Sequence, residues 1–174
     1  MNSAAAAASK DIATNDAEQN GQYTEQYLTF MLAGEEYGIK ILNVQEIKGW
    51  SGVTPIPNTP PHILGIINLR GTVVPIIDLR TCFGLEPSEF GPTTVVIMAK
   101  SVQEDGEKVV GIVVDAVSEV YNVPVREIEP PPAMGTLVST EFIKGLATVE
   151  GKMVILLNIA HLVETEIAKA NLDG

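Results

Sequence analysis

At 174 residues, 45% of them hydrophobic, and with a mean hydropathy of +0.20, the chain can bury about 70% of its unfolded surface and reads as globular, one domain or two small ones. Its 22 acidic and 11 basic residues leave a net charge of −11, a field that repels phosphate backbones and anionic membrane surfaces and argues against nucleic acid as a partner. The lone Cys82 excludes a disulfide framework, and aliphatic runs such as Met153 to Leu157 fall far short of the roughly 20 residues that span a bilayer.

Residues 1–24, and Met1 to Gln22 above all, are Ala, Ser, Asn, Asp and Gln with few large apolar side chains, so a disordered tail is expected. Ala4 to Ala8 follow no basic residue and make a poor signal peptide, which points to the cytoplasm. From Tyr27 the pattern has period two: Leu28, Phe30 and Leu32 share one face of a strand, with Tyr27, Thr29 and Met31 on the other. Gly34-Glu35 turns the chain and Tyr37 to Ile41 continues as strand. Ile41, Val44, Gln45 and Ile47 suit either a strand or a single helical turn. Four prolines between Thr54 and Pro61 rule out a central strand there. Pro61 fits the first turn of a short helix, with Asn58 or Thr59 as cap and Gly65 as stop.

Gly65 to Arg80 is the organising stretch. Two apolar runs flank Arg70-Gly71, predicting a β-hairpin with an arginine at its tip. Asp78 can cap a short helix, Leu79 to Phe83, that stops at Gly84. In the second half, strands over Thr93–Ala99 and Lys108–Val114 flank the turn Glu104-Asp105-Gly106-Glu107. Pro124 and Pro130-Pro131-Pro132 then break the chain before a loop to Thr140. Phe142–Val149 and Lys152–Leu157 form a hairpin around Glu150-Gly151. Asn158 caps a C-terminal helix, Ile159–Ala170, with Leu162, Val163 and Ile167 on its apolar face.

The halves repeat weakly. Shifted by 73, Gly38-Ile39, Val44 and Glu46-Ile47 fall on Gly111-Ile112, Val117 and Glu119-Val120; shifted by 80, Gly65-Ile66, Gly71, Val74 and Asp78-Leu79 fall on Gly145-Leu146, Gly151, Val154 and Asn158-Ile159. A mainly β domain over residues 25–170 is expected, with two units of about five strands, roughly 25–90 and 91–170, that close into barrels to remove their edges. The pattern leaves open whether the barrels exchange strands.

Chemistry-bearing constellations are sparse. His62 and His161, the two histidines, have no Cys, Asp or Glu at metal-ligand spacing, and no phosphate loop or nucleophile elbow is present, so neither metal nor cofactor is expected. Asp78 could act as a base only with a second titratable group, and its capping role already accounts for it. A binding module is the favoured reading. The alternative is a small-ligand-binding double barrel, or an enzyme using Asp78 and His62.

Tyr37-Gly38-Ile39 with Val44-Gln45-Glu46-Ile47, then Asn58-Thr59-Pro60, Gly65, Asn68-Leu69-Arg70-Gly71, Val74-Pro75-Ile76 and Asp78-Leu79-Arg80, and later Val109 to Asp115 with Val117-Ser118, closely resemble the CheW family, the coupling proteins of bacterial chemotaxis. The likeness runs in order from about Gln26 to Leu162, and the Asn-Leu-Arg-Gly hairpin followed by Val-Pro-Ile and Asp-Leu is its specific mark. It implies two SH3-like five-stranded β-barrels packed together, no catalysis and no cofactor. It also implies two protein partners: the cytoplasmic tip of methyl-accepting chemotaxis receptors and the regulatory domain of the histidine kinase CheA. Carried over by motif, Leu28, Ile41, Val44 and Val117 would line a receptor groove with Glu46 and Arg70 at its rim. Pro57, Ile63, Val73 and Ile76 would meet the kinase, and Glu129 to Met134 would supply a second kinase contact. By their residues alone the four apolar groove positions read as ordinary core, and Arg70 as a solvated tip. The resemblance favours recognition for Arg70.

Overall fold

Period-two alternation yields ten strands and two helices. In the computed structural model, which describes residues 23–104, 106–131 and 140–170, these are β1 (Thr24–Leu32), β2 (Glu35–Lys40), β3 (Val44–Gly49), β4 (Ile63–Leu69), β5 (Thr72–Asp78), α1 (Leu79–Cys82), β6 (Val95–Gln103), β7 (Gly106–Val114), β8 (Ala116–Pro124), β9 (Ile143–Val149), β10 (Lys152–Leu157) and α2 (Ile159–Ala170). Thr24, read as tail, already opens β1. The rest of the expected tail to Gln22, Asp105 of the predicted turn, and the loop residues Pro132 and Met134 lie outside the described residues.

Two five-stranded sheets result, with orders β8-β1-β2-β10-β9 and β3-β6-β7-β5-β4. The expected split near residue 90 is corrected here, because each sheet draws on both halves. β1 and β2 of the first half join β8, β9 and β10 of the second. β3, β4 and β5 of the first half join β6 and β7 of the second. The repeat is nevertheless kept strand for strand. The parallel pair Ile76 with Gly111, between β5 and β7, recurs as Leu156 with Gly38, between β10 and β2, at the offsets of 80 and 73.

Alternation on strands buried on both faces separates three cores. Tyr27, Tyr121, Val123, Ala147, Val154 and Leu156 fill the first sheet, and Leu69, Val74, Ile76, Val96, Met98 and Val113 fill the second. The opposite faces of these strands, including Leu28, Phe30, Ile39, Ile77, Ile97 and Ile112, meet between the barrels, where Leu162, Val163 and Ile167 of α2 also pack.

Local chemistry explains most boundaries. Ala33-Gly34, Arg70-Gly71 and Glu150-Gly151 all have positive φ at both positions, the turn that matches strand twist in two-residue hairpins. The Asp78 carboxylate accepts from Arg80 N at 3.2 Å at the head of α1, and Asn158 Oδ1 accepts from His161 N at 3.2 Å at the head of α2. The segment left open at Ile41 is a 3-10 turn, Ile41–Asn43, running into β3. The helix expected at Pro61 does not form. β4 begins at Ile63, and Gly65, with φ +155°, lies inside that strand where Thr54 pairs with Ile66. Proline at position 61 marks entry to a strand here, because the apolar run behind it has a sheet partner in β5.

Asp115 sits where the chain leaves β7 for β8. Its carboxylate accepts from Arg80 Nε at 3.0 Å, Arg80 Nη2 at 2.7 Å and Ala33 N at 2.9 Å, while its own N–H donates to Met31 O at 3.1 Å. This one residue links α1 to the β1–β2 hairpin of the other barrel. Asp115→Ala is expected to lower stability by about 2–3 kcal/mol, since it leaves a partly buried guanidinium and an amide without their acceptor. Urea unfolding checks this, and a loss below about 0.5 kcal/mol would count against the linkage.

Near the start of β1, Glu25 accepts from Lys144 Nζ at 3.0 Å and Tyr27 Oη at 2.8 Å, and pairs with Lys40 Nζ at 3.1 Å. Burial alone would raise its pKa, but these donors outweigh that and bring it from 4.5 to about 2. A carboxyl depressed in the folded state stabilises the protein above its unfolded pKa, and that contribution fades as pH falls from 4.5 toward 2. Wild type should therefore exceed Glu25→Gln in urea midpoint at about pH 6, with the gap closing at about pH 2.5. A gap independent of pH would contradict the assignment.

Candidate protein-interaction site

The β4–β5 hairpin holds its arginine by turn chemistry. Arg70 has φ 52° and Gly71 φ 89°, and Asn68 Oδ1 accepts from Gly71 N at 2.7 Å, so the tip is braced by its own sequence. The Arg70 side chain is 69% exposed and its Nη2 donates to Glu46 Oε2. Glu46 lies on β3, at the opposite end of the sheet order from β4, so the ion pair ties the two edges of the second barrel. The two residues assigned to a rim are thus brought together.

Ile41, Val44 and Val117 are half-buried and rest on the core between the barrels, Val44 two residues from Glu46 on β3. β3 shifts register against β6 between Val44 and Glu46, and β1 shifts against β8 between Leu28 and Phe30. Such bulges re-aim side chains at the borders of functional surfaces. Leu28, expected to line the groove, is 4% exposed and belongs to the core between the barrels. Leu42, in the 3-10 turn, and Val102, on β6, are 75% and 79% exposed and were not singled out from the sequence. A large aliphatic side chain directly after Ile41 was the available signal, blurred because the local structure there was open.

The second group of residues divides. Pro57 and Val73 are exposed on the second barrel, and Glu129 is exposed on the first, where its backbone pairs with Leu146 of β9. Ile63 and Ile76 do not belong to a surface: they are 5% and 1% exposed, Ile63 between the barrels and Ile76 inside the second one. Both faces of β4 and β5 are covered, so their apolar residues cannot all reach a partner.

The acid–base pair considered for catalysis is otherwise engaged. Asp78 accepts from Arg80 N and from Thr81 Oγ1 at 3.0 Å, whereas His62 Nε2 meets Glu166 Oε1 at 2.6 Å. Burial, reinforced by the charge of Glu166, pushes the Cys82 thiol up to about 12, unlike the lowered thiols that serve as nucleophiles. No helix among the described residues is long and apolar enough to cross a membrane.

Known proteins resemble this arrangement over nearly its whole extent. The sequence model of the CheW-like domain matches residues 26–166. The chemotaxis protein CheW of Klebsiella aerogenes is 45% identical over 142 residues, covering 82% of this chain and 83% of its own. CheW of Rhizobium meliloti is 33% identical over 157 residues, covering 90% and 99%. The crystal structure of the scaffolding protein TtCheW from Thermoanaerobacter tengcongensis superposes with a TM-score of 0.71 at 36% identity, covering 78% of this chain and 89% of that one. With the duplicated SH3-like barrels and the Asn-Leu-Arg-Gly hairpin in place, these matches make the chain a member of the CheW family of chemotaxis coupling proteins.

Proposed function

We propose that this chain is a non-enzymatic adaptor that couples the cytoplasmic tip of methyl-accepting chemotaxis receptors to the histidine kinase CheA. The observation that carries this reading is the Arg70–Glu46 pair on a braced hairpin tip, with Glu46 two residues from half-buried Val44 on β3; Ile41 and Val117 are likewise half-buried over the core between the barrels. An amphipathic receptor helix lays its apolar stripe along these half-buried residues, over the core that includes Leu28, and its polar flank meets the charged rim. Pro57 and Val73 offer an exposed surface to the kinase regulatory domain. Glu129, with Met134 beyond the described residues, supplies a second kinase contact. The protein then works in the cytoplasm, held at the inner face of the membrane through the receptors. The relatives named for chemotaxis and for scaffolding support the same role.

Co-sedimentation with receptor-containing membranes, with and without CheA, tests it. The protein should pellet with the receptors and raise kinase autophosphorylation in their presence. Binding to neither partner would overturn the adaptor reading and send the search to small-molecule ligands by a metabolite melting screen.

A further inference from the structure

Three residues that no local spacing could connect converge below α2. His62 lies in the turn that leads into β4, Cys82 ends α1, and Glu166 lies on α2. One donor atom from each, His62 Nε2, Cys82 Sγ and a Glu166 carboxylate oxygen, fall within 4.8 Å of one another. His62 Nε2 is 2.6 Å from Glu166 Oε1, and Cys82 Sγ donates to Glu166 Oε2 at 3.7 Å. The Glu166 side chain is fully buried, while His62 keeps 12% of its side chain exposed. We propose that these residues form a zinc site, with the imidazole nitrogen, the thiolate and the Glu166 carboxylate as ligands and a water in the remaining position.

The donor set is the first argument. Nitrogen, sulfur and oxygen together suit a borderline-soft ion such as Zn²⁺, whereas calcium and magnesium take oxygen alone. Geometry is the second. Tetrahedral zinc with ligand bonds of about 2.0–2.3 Å sets its donor atoms about 3.2–3.7 Å apart. His62 Nε2 faces one oxygen of the Glu166 carboxylate and Cys82 Sγ the other, and all three donor atoms lie within 4.8 Å of one another, so shifts of about 1 Å bring them to that spacing.

The scaffold is the third argument. Asp78 N donates to His62 O at 2.8 Å, fixing the His62 turn to the head of α1. Glu166 is held by buried neighbours on α2, among them Leu162, Val163 and Ile167. The exposed edge of His62 gives the ion an entrance and the water its place. Lys169 Nζ, 3.6 Å from Glu166 Oε2 and 43% exposed, is free to swing into solvent as the ion enters. The thiol proton leaves to solvent on binding, so affinity rises with pH. Bound in this way, zinc pins α2 to the second barrel through two independent segments.

The test uses the full chain stripped of metal by chelator and dialysis. Titration with Zn²⁺ against a chromophoric chelator should give one tight site per chain. Co²⁺ as a probe should give a near-ultraviolet thiolate-to-cobalt charge-transfer band and intense tetrahedral visible bands. Cys82→Ser should abolish the charge-transfer band, and both it and His62→Ala should weaken Zn²⁺ binding by more than the roughly 10–100-fold typical of outer-shell changes. His161→Ala, which removes the other histidine, should change neither. A pale cobalt spectrum without the charge-transfer band in the wild type overturns the site, a result independent of how any variant folds. Equal Zn²⁺ affinity in wild type and folded Cys82→Ser would do the same.

Discussion

Arg70→Glu is expected to leave the barrels folded and to cut receptor binding by at least about 30-fold, the equivalent of roughly 2 kcal/mol at a charged rim. The side chain is 69% exposed, and an exposed ion pair contributes only about 0–1 kcal/mol, so the melting temperature should move by no more than about 3 °C. Reversal places two carboxylates where Arg70 and Glu46 now pair, and under the proposed function it would invert the charge offered to the receptor. The double exchange Glu46→Arg with Arg70→Glu separates two roles. It restores the internal pair while keeping the surface inverted, so coupling should stay lost. Recovery in the double variant would show that Arg70 acts by joining the barrel edges and not by meeting the receptor.

The largest effect on folding is expected at Gly65. A Cβ there would lie 2.3 Å from Thr54 O and 2.7 Å from Thr54 C, both backbone atoms, at a φ of +155° that side chains avoid. Gly65→Ala must therefore either break the Thr54–Ile66 pairing or displace β4. A loss of about 3 kcal/mol follows, a melting temperature lower by roughly 6–12 °C for a chain of this size. Gly145 holds the equivalent place in the second hairpin, where a Cβ would come 2.6 Å from Glu129 O and 2.6 Å from a methyl of Ile128. Because Gly145 has no positive φ and its closest backbone approach is longer than the 2.3 Å at Gly65, Gly145→Ala should cost less, about 2 kcal/mol. Differential scanning calorimetry on both variants is decisive: melting of Gly65→Ala within about 2 °C of wild type would refute the close approach.

What could be read from the sequence was what turn chemistry and short-range alternation encode. Arg70-Gly71 and Glu150-Gly151 announce their hairpins, and Asn158 and Ala170 bound the last helix as expected. The Asn-Leu-Arg-Gly mark carried the family. Long-range pairing left no local trace, so the parallel contacts of β5 with β7 and of β10 with β2, and with them the exchange of strands, were invisible. Ile76 shows why surface and core were confused: Ile76 and Ile77 are adjacent and both buried, each in a different core, so alternation gives no outward face to recognise. Glu46 and Arg70 each stand out in the sequence, but only the curl of the sheet shows that they meet. His62, Cys82 and Glu166 were unconnected in sequence for the same reason.

Each half of the chain carries one copy of the five strand positions, yet it gives two to one barrel and three to the other. Two separate molecules sharing such elements would be a domain-swapped homodimer with a two-fold axis. Here a peptide linker replaces the second chain, so association of the halves is intramolecular and does not fall off on dilution. Any interface that spans both barrels is consequently presented whole by a single molecule at any concentration.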